Sequence, residues 1–382
     1  MSVTKKCIKA NRHQLNGALK KNGVNIWRYT FNGIETGTGL ERKFFVELSM
    51  INPYLSQNEV VLGFKSRMNI SADDLQNVLA GTASAQKIQS ESILTPSYVV
   101  VRAGVLGAGA KEMCEYHCIR QVEISPKEFQ IKVGNCLFTE EKISGRMDVS
   151  LSELHEQPEL LCNPGIISWE LRYDIRSSFD DGFENRDYTW LATGARTVFA
   201  GTITLDGKEY SVIPKKSFGY LDRKWGKTLP STWIHLSSCN LTSMITGKTL
   251  TESSCAVQGM YDEKMVVLSD FEGKQIAFSG NSVYEFSQLP ESEEGEKLHW
   301  TVSASNKSYV IDIDIFTIAD LMFVRSIELP DGGRKILKVL SGGNGSGEIR
   351  LYKKIKKNLE LIEHAKIQNC LCEYGKIELP EN

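Results

Sequence analysis

Residues 219–233 concentrate side chains that can take part in acid–base chemistry. The segment reads Gly-Tyr-Leu-Asp-Arg-Lys-Trp-Gly-Lys-Thr-Leu-Pro-Ser-Thr-Trp. It combines the carboxylate of Asp222 and several basic side chains with the indoles of Trp225 and Trp233. Apolar walls with a few convergent polar groups are typical of a small-molecule pocket. The segment is therefore the first candidate for a binding or catalytic site.

Asp222 is the candidate general acid of this segment. A carboxyl group held against indoles loses hydration, which raises its pKa and keeps it protonated near neutrality. The opposite interpretation is structural: Trp225 closes one end of a barrel, and Asp222 pairs with Arg223 or Lys224. The residues by themselves favour the two interpretations equally.

The strand after this segment adds polar groups at a spacing of two. Side chains alternate across a strand, so Trp233, His235 and Ser237 share one face. That face would present an indole, an imidazole and a hydroxyl to the lumen of a barrel. These three residues extend the candidate site beyond Asp222.

Two other kinds of site are disfavoured. Residues 114–118 read Cys-Glu-Tyr-His-Cys, but a zinc site needs four ligands, usually as two close pairs, and no second pair matches. They are interpreted as an ordinary strand with buried thiols, and no metal is expected. No Gly-x-Ser-x-Gly elbow occurs. Ser238 and Cys239 lie near His235 only as neighbours on a strand, which does not make a triad.

Composition restricts the partners and the compartment. The 45 basic and 47 acidic residues of this 382-residue chain nearly cancel, which disfavours nucleic acid as a partner. No apolar run approaches the ~20 residues of a membrane span, and residues 1–21 lack the apolar core of a secretory signal. The nine cysteines are scattered and odd in number, which is typical of reduced thiols. A cytoplasmic location is expected.

Residues 353–357 form a compact basic run, Lys-Lys-Ile-Lys-Lys. The favoured interpretation is a solvated face that needs no partner. The alternative is peripheral contact with a membrane, because lysine clusters attract anionic lipid headgroups.

The elements expected to position the candidate site are short strands. Asp206-Gly207 lies between two strand-like runs and predicts a hairpin, because both residues tolerate positive φ. Residues 71–81 predict one short helix with Ser71 as its N-cap, and residues 356–370 are a second helix candidate. Residues 341–347 read as a flexible glycine-rich turn. Many short, evenly spaced strands favour barrels or sandwiches.

A domain boundary is predicted near residues 160–165, where Pro158, Asn163, Pro164 and Gly165 interrupt the strand pattern. The chain is accordingly divided into an N-terminal domain, residues 1–163, and a C-terminal domain, residues 164–382. The second domain carries the candidate site.

Residues 219–240 resemble the signature of the tocopherol cyclases. That signature runs roughly Tyr-x-Glu-Lys-Asn-Trp-Gly, two residues, Phe-Pro, two residues, Trp-x-Trp-x-Gln-x-Asn. Carotenoid hydratases of the hydroxyneurosporene-synthase type carry a related Asp-x-x-Trp-Gly motif, which residues 222–226 match. Residues 27–31, 48–53 and 167–171 are similar, in order, to other strands of the family. The resemblance covers most of residues 22–260.

This chain departs from the signature at its polar positions. Asp222-Arg223-Lys224 stands in place of Glu-Lys-Asn, and His235 and Ser237 replace the second tryptophan and the glutamine. The frame of the pocket is retained while its polar lining is changed. A substrate other than a tocopherol precursor is therefore expected.

The resemblance implies an all-β fold: two tandem lipocalin-like β-barrels, here with one or two short helices. A barrel of about eight strands can hold one small hydrophobic ligand. Known members protonate an isolated alkene, and a hydroxyl or water traps the cation without any cofactor. The implied activity is cyclisation, hydration or isomerisation of an isoprenoid-like molecule. The alternative is a binding protein that holds a hydrophobic small molecule without chemistry, since barrels do both.

The resemblance also suggests roles for individual residues. Asp222 would be the acid, and Trp225 and Trp233 would form apolar walls that stabilise a cation over a ring face. The remaining candidates are the orienting polar groups and the further pocket residues, namely His235, Ser237 and Asn240, and Tyr220, Trp169, Trp27 and Tyr29. A buried Asp222 beside an empty apolar cavity would favour catalysis, and a surface ion pair would favour binding.

Overall fold

The computed structural model describes residues 4–63, 72–82, 94–157, 160–230, 232–261, 264–292 and 295–378. The described part is almost entirely β-structure, with only three α-helices. They are α1 (Lys5–Asn11), α2 (Ala72–Leu79) and α3 (Leu151–Glu156). Among the described helices, none is both long and apolar enough to cross a membrane. All nine cysteines, each within the described ranges, are free.

The first sheet has 13 antiparallel strands. They are β1 (Val24–Glu35), β2 (Glu41–Ile51), β3 (Tyr98–Leu106), β4 (Lys111–His117), β5 (Val122–Ile124), β6 (Gln130–Val133), β7 (Cys136–Thr139), β8 (Lys142–Val149), β9 (Gly165–Ser177), β10 (Gly182–Glu184), β11 (Tyr188–Leu205), β12 (Lys208–Val212) and β13 (Gly219–Gly226). Their order is β4-β3-β2-β1-β12-β11-β9-β8-β7-β6-β5. Strand β13 pairs with both β1 and β11, so it lies in the middle of the sheet.

The second sheet has 11 strands. They are β14 (Thr232–Ser238), β15 (Asn240–Ser243), β16 (Ser254–Tyr261), β17 (Lys264–Phe271), β18 (Lys274–Phe278), β19 (Asn281–Ser292), β20 (Gly295–Ser305), β21 (Tyr309–Ile318), β22 (Phe323–Glu328), β23 (Ile336–Ile355) and β24 (Asn358–Glu378). Their order is β18-β17-β16-β14-β24-β23-β21-β20-β19. Both sheets are barrel-like, and the predicted all-β fold with two tandem barrels is confirmed.

Three large apolar cores follow from this arrangement. One fills the first barrel around Trp27 and Phe44, and another fills the second barrel around Trp300. The third, which we name the seam, combines side chains of both sheets, including Trp190 and Trp233. Strands at the seam are covered on both faces; β3 is buried along its whole length. Such strands lose the apolar–polar alternation of a half-exposed strand.

Several local predictions are confirmed and two are wrong. The hairpin at Asp206-Gly207 forms between β11 and β12, with φ values of 49° and 82°. The helix predicted over residues 71–81 is observed as α2, although Ser71 lies outside the described residues. The helix candidate at residues 356–370 is instead mostly the long strand β24. The glycine-rich residues 341–347 lie inside β23 and form no turn.

These glycines serve close packing between strands. A Cβ atom at Gly347 would overlap the backbone carbonyl of Asp314 on the neighbouring β21. A Cβ at Gly342 would overlap the sulfur of Met322. Glycine in a strand often marks such a close approach. The glycine-rich composition of residues 341–347, which suggests a flexible loop, is therefore explained by close packing in a sheet.

The predicted domain division at residue 163 falls between β8 and β9. These two strands pair from Lys142↔Arg172 to Val149↔Gly165 within the first sheet. The change from one sheet to the other comes later, between β13 and β14. The division into residues 1–163 and 164–382 stays a prediction.

Candidate functional site

The signature-like segment crosses from one barrel to the other. Its first half is β13 in the first sheet, and its second half leads into β14, which pairs with β16 and β24 of the second sheet. Alternation along β13 sends Tyr220 to the seam and Leu221 to the core of the first barrel. Asp222 and Lys224 share the face of Tyr220. The candidate site therefore lies between the barrels rather than in a lumen.

Five buried ionisable side chains meet at the seam. They are Arg28 on β1, Asp222 and Lys224 on β13, His235 on β14 and Glu373 on β24, and each residue is at most 2% exposed. We name this set the seam cluster. The aromatic residues Trp190, Tyr220 and Trp233 pack around it. Burial of this many ionisable groups requires that nearly all of them are paired.

Arg28 holds the two carboxylates of the cluster. Its Nη2 lies 2.5 Å and its Nε 3.3 Å from the two oxygens of Asp222, a bidentate pair. Its Nη1 donates to Glu373 at 2.6 Å. The Trp190 indole and the Tyr220 hydroxyl add donors to Asp222 at 3.2 and 3.3 Å. The charged form of the carboxylate therefore accepts four hydrogen bonds, three on Oδ2 and one on Oδ1.

The predicted rise in the pKa of Asp222 is wrong. Burial alone would raise this pKa, but the charges of Arg28 and Lys224 outweigh it and leave the pKa below its ordinary value. The same balance lowers the pKa of Glu373, where burial opposes the attraction of Arg28. Asp222 is thus both buried and paired, and its main partner is Arg28 instead of Arg223 or a surface lysine. It is ionised near neutrality.

Lys224 is the cation of the cluster that is least firmly held. Its Nζ lies 4.0 Å from Asp222 Oδ2 and 4.4 Å from the centre of the Trp233 ring. Burial lowers its pKa, and the nearby charge of Arg28 acts in the same direction. A lysine with a lowered pKa is a stronger acid than a free lysine, so it gives up a proton more readily.

His235 is buried as a neutral imidazole. Burial, followed by the charge of Arg28, lowers its pKa to about 3. Its Nε2 is 3.0 Å from Ser237 Oγ, and its Nδ1 is 3.1 Å from Gln258 Oε1. In neutral imidazole one nitrogen donates and the other accepts. The tautomer with the proton on Nδ1 fits Gln258 as acceptor and leaves Nε2 to accept from Ser237.

The depressed pKa of His235 makes a pH prediction. The pKa of this imidazole is about 6.5 in the unfolded chain and about 3 in the fold. The stability contributed by burying the neutral ring is therefore fully present above pH 6.5 and is lost as the pH falls. From pH 7 to pH 5 this group alone should remove about 2 kcal/mol of unfolding free energy. Urea unfolding at pH 7 and at pH 5 should show that His235→Gln loses less unfolding free energy between the two pH values than the wild type does. The exposed His155→Gln variant should keep the full loss, and equal losses in both variants would contradict the assignment.

The structure separates the other predicted residues from the cluster. Trp27, Tyr29 and Trp169 lie in the core of the first barrel, where the Arg223 guanidinium stacks 3.7 Å from the Trp27 ring centre. Two further candidates also lie apart. Trp225 is on the opposite face of β13 from Asp222, and Asn240 on β15 donates to Asn369 at 2.5 Å.

Asp222, Tyr220, Trp233, His235 and Ser237 are therefore the predicted residues that the structure brings together. Whether they act in catalysis stays a prediction.

Sequence reasoning missed Arg28, Trp190, Gln258 and Glu373. Only Arg28 carried a local signal: it is a charged residue inside the strand-like run Ile-Trp-Arg-Tyr-Thr-Phe. A charge in the middle of an apolar strand indicates a buried partner. The partner itself lies 194 residues away, and Glu373 lies 345 residues away.

A second group of buried charges adjoins the seam cluster. Arg325 on β22 donates to Glu112 at 2.6 Å and lies 3.4 Å from Glu47, while Arg102 lies 3.6 Å from Glu47. The charges of Arg325 and Arg102 lower the pKa of Glu47 against the effect of burial. We name these four residues the second ion group. Together the two groups form a polar layer between the sheets.

A cavity of about 460 Å³ lies elsewhere, between β4, β8 and α3. Its lining combines apolar and polar residues, namely Val60, Leu62, Cys114, Glu115, Tyr116, Asn135, Arg146, Met147, Asp148, Val149, Glu153, Gln157 and Leu160. The lining includes no member of the seam cluster. Within the described ranges, no group of three or more His, Cys, Asp or Glu side chains is arranged to hold a metal ion.

Comparison with known proteins found similar chains among solved structures only. No protein-family model matches the chain, and no curated protein matches it. Among solved structures it is similar to an AttH candidate from Nitrosomonas europaea, at 10% identity and a TM-score of 0.42, covering 92% of this chain and 94% of that one.

Two further solved structures are similar at the same level. Kievitone hydratase from Nectria haematococca has 13% identity and a TM-score of 0.41, covering 98% of this chain and 95% of that one. CghA with Sch210972 has 12% identity and a TM-score of 0.41, covering 95% of this chain and 90% of that one. The resemblance to tocopherol cyclases stays a prediction.

Proposed function

We propose that this protein catalyses a cofactor-independent cyclisation, hydration or isomerisation of a lipophilic, isoprenoid-like small molecule at the seam cluster. The observation that carries the proposal is the burial of five ionisable side chains against indoles and a phenol. Apolar side chains would often fill such a space at no loss of stability. Concentrations of buried, perturbed ionisable groups are typical of functional sites.

The charge states suggest which groups move protons. Asp222 is ionised and held by Arg28, so it suits the role of acceptor. The ammonium of Lys224 has a lowered pKa and lies over the face of Trp233. We assign Lys224 as the proton donor to an alkene, and Trp233 as the ring that stabilises the resulting cation.

The proton that Lys224 gives to the substrate is returned to it by other groups of the cluster, so the cycle needs no external acid or base. The alkene takes a proton from Lys224 Nζ, and water or a hydroxyl of the substrate attacks the cation. The proton released by this oxygen passes to Asp222. It returns to Lys224 when the Lys224 Nζ moves from its resting 4.0 Å to within hydrogen-bond distance of Asp222 Oδ2. In this scheme Arg28 keeps Asp222 ready to accept, and the neutral His235 and Ser237 orient the attacking oxygen.

The test combines ligand identification with turnover. Native mass spectrometry and organic extraction of the purified protein should identify a prenylated, polyene or terpenoid compound. With that compound as substrate, Asp222→Asn and Lys224→Met should each lower turnover by about 10²–10⁴-fold while binding is retained. Glu112→Gln is the matched control, because it neutralises an equally buried, arginine-bound carboxylate in the second ion group. Unchanged turnover in both site variants would refute the proposed roles.

A second candidate is a binding protein without chemistry, and the cavity between β4, β8 and α3 favours it. Its volume of about 460 Å³ is within the range of ligand pockets. A carrier would release its ligand unchanged, and Met147→Trp, which adds bulk to the cavity wall, should abolish binding. Asp222→Asn should then have no effect. A protein that carries no compound and takes up none from a panel of isoprenoids would contradict both candidates.

A further inference from the structure

The tip of the β23–β24 hairpin exposes four apolar side chains. Every residue from 353 to 362 is exposed, so both faces of the hairpin lie in solvent. The apolar members are between 38% and 55% exposed, namely Ile355, Leu359, Leu361 and Ile362. Scattered surface apolar residues are ordinary, whereas a contiguous set indicates a contact surface.

A neighbouring loop extends this apolar set. Strand β15 pairs with β24 through Ser243↔Ala365, and the Met244 amide donates to the His364 carbonyl at 2.7 Å. The loop therefore begins beside the base of the hairpin tip. Its two apolar residues, Met244 and Ile245, are 53% and 55% exposed. We name residues 353–362 together with these two the hairpin patch.

The charge of the hairpin patch is positive although that of the whole chain is not. Four lysines, at 353, 354, 356 and 357, stand against a single acidic residue, Glu360, while the chain carries a net charge of −2. Just beyond the patch, Glu363 accepts a hydrogen bond from Ser243 at 2.7 Å. The basic side chains thus flank the exposed apolar ones at one end of the second barrel.

We propose that the hairpin patch docks the protein on an anionic lipid bilayer. Lysines near such a surface are attracted by the acidic headgroups, and apolar side chains beside them enter the boundary between headgroups and acyl chains. A narrow hairpin exposed on both faces suits insertion. A stable protein partner would instead need roughly 800 Å² on one continuous surface. A solvated basic face alone would not require the six exposed apolar side chains.

The test is flotation with vesicles of stated composition. The wild type should float with vesicles of equal parts phosphatidylcholine and phosphatidylserine, and not with pure phosphatidylcholine. Lys356→Glu/Lys357→Glu should weaken binding by at least about tenfold, and high salt should act likewise. Leu359→Ser/Leu361→Ser should also weaken binding, which would separate insertion from attraction of charge alone.

The matched control reverses the same charge elsewhere. Lys215 and Lys216 form another exposed lysine pair, in the short 3₁₀ helix Pro214–Lys216 between β12 and β13 of the first sheet. Lys215→Glu/Lys216→Glu should leave vesicle binding nearly unchanged. Equal weakening by both reversals, or no flotation of the wild type, would overturn the proposal. So would a concentration-dependent dimer of the wild type that the Leu359→Ser/Leu361→Ser variant loses, because the patch would then bind a second copy.

Discussion

Replacing Arg28 with methionine should lower the free energy of unfolding by about 3–5 kcal/mol, the cost of leaving buried charges without their partner. Arg28 bonds both Asp222 and Glu373, and all three residues are at most 2% exposed. Without it, the two carboxylates keep the cost of burial and lose most of the attraction that offsets it. Urea unfolding at neutral pH measures the effect directly.

Two further variants define what this result means. Arg176 pairs with Asp174 at 2.7 Å on the surface, so Arg176→Met makes the same chemical change at an exposed pair and should alter stability little. Neutralising the stranded carboxylates as well, in Arg28→Met/Asp222→Asn/Glu373→Gln, should restore much of the loss. If Arg28→Met costs no more than Arg176→Met, the seam cluster is not the buried ion pair that the structure describes.

Replacing Gly226 with alanine should cost a comparable amount, about 3–5 kcal/mol, for a backbone reason. Gly226 ends β13 with a φ of +155°, which L-residues rarely adopt. A Cβ there would overlap the carbonyl oxygen of Asp187 and lie 2.8 Å from the Tyr188 Cα. These are backbone atoms of β11 and its approach, so no side chain can move aside. Thermal or urea unfolding gives the size of the loss.

Gly247→Ala separates the cost of the positive φ from the cost of the overlap between the added Cβ and backbone atoms. Gly247 also has a positive φ, of +71°, but no atom lies within 4 Å of its added Cβ. Gly247→Ala should therefore lower the free energy of unfolding only by the cost of a positive φ in an L-residue, about 1–2 kcal/mol. Equal losses in the two variants would show that close packing of β13 against β11 contributes nothing. A larger loss for Gly226→Ala would explain in physical terms the glycine that follows tryptophan in the signature-like segment.

Local sequence was sufficient for much of the fold. The Asp206-Gly207 turn predicts its own hairpin because both residues tolerate positive φ, and the structure has them at 49° and 82°. Alternation places His235 and Ser237 on one face of a strand, and their side chains are 3.0 Å apart. These features depend on residues within a few positions of one another.

Where the local signal was ambiguous, the sheet decided. Residues 356–370 lack a clean helical period, and they become β24 because β14, β15 and β23 supply backbone partners along its length. The glycines of residues 341–347 resemble a loop by composition. They lie in a strand with neighbours too close for side chains: a Cβ would overlap the Asp314 backbone of β21 at Gly347, the Lys43 side chain at Gly343 and the Cys372 sulfur at Gly345.

The amino-acid sequence by itself determined the all-β class, the hairpins and the segment in which Asp222, Lys224 and Trp233 lie together. Only the tertiary structure decided the chemistry of that segment. Arg28 and Glu373 come from strands 194 and 345 residues distant from their partners in the cluster. Burial pushes the pKa of Asp222 upward, and the charge of a residue that only folding brings near pushes it further down. The sign of a buried group's pKa depends on such partners, because Coulomb attraction follows distance in space and not distance along the chain.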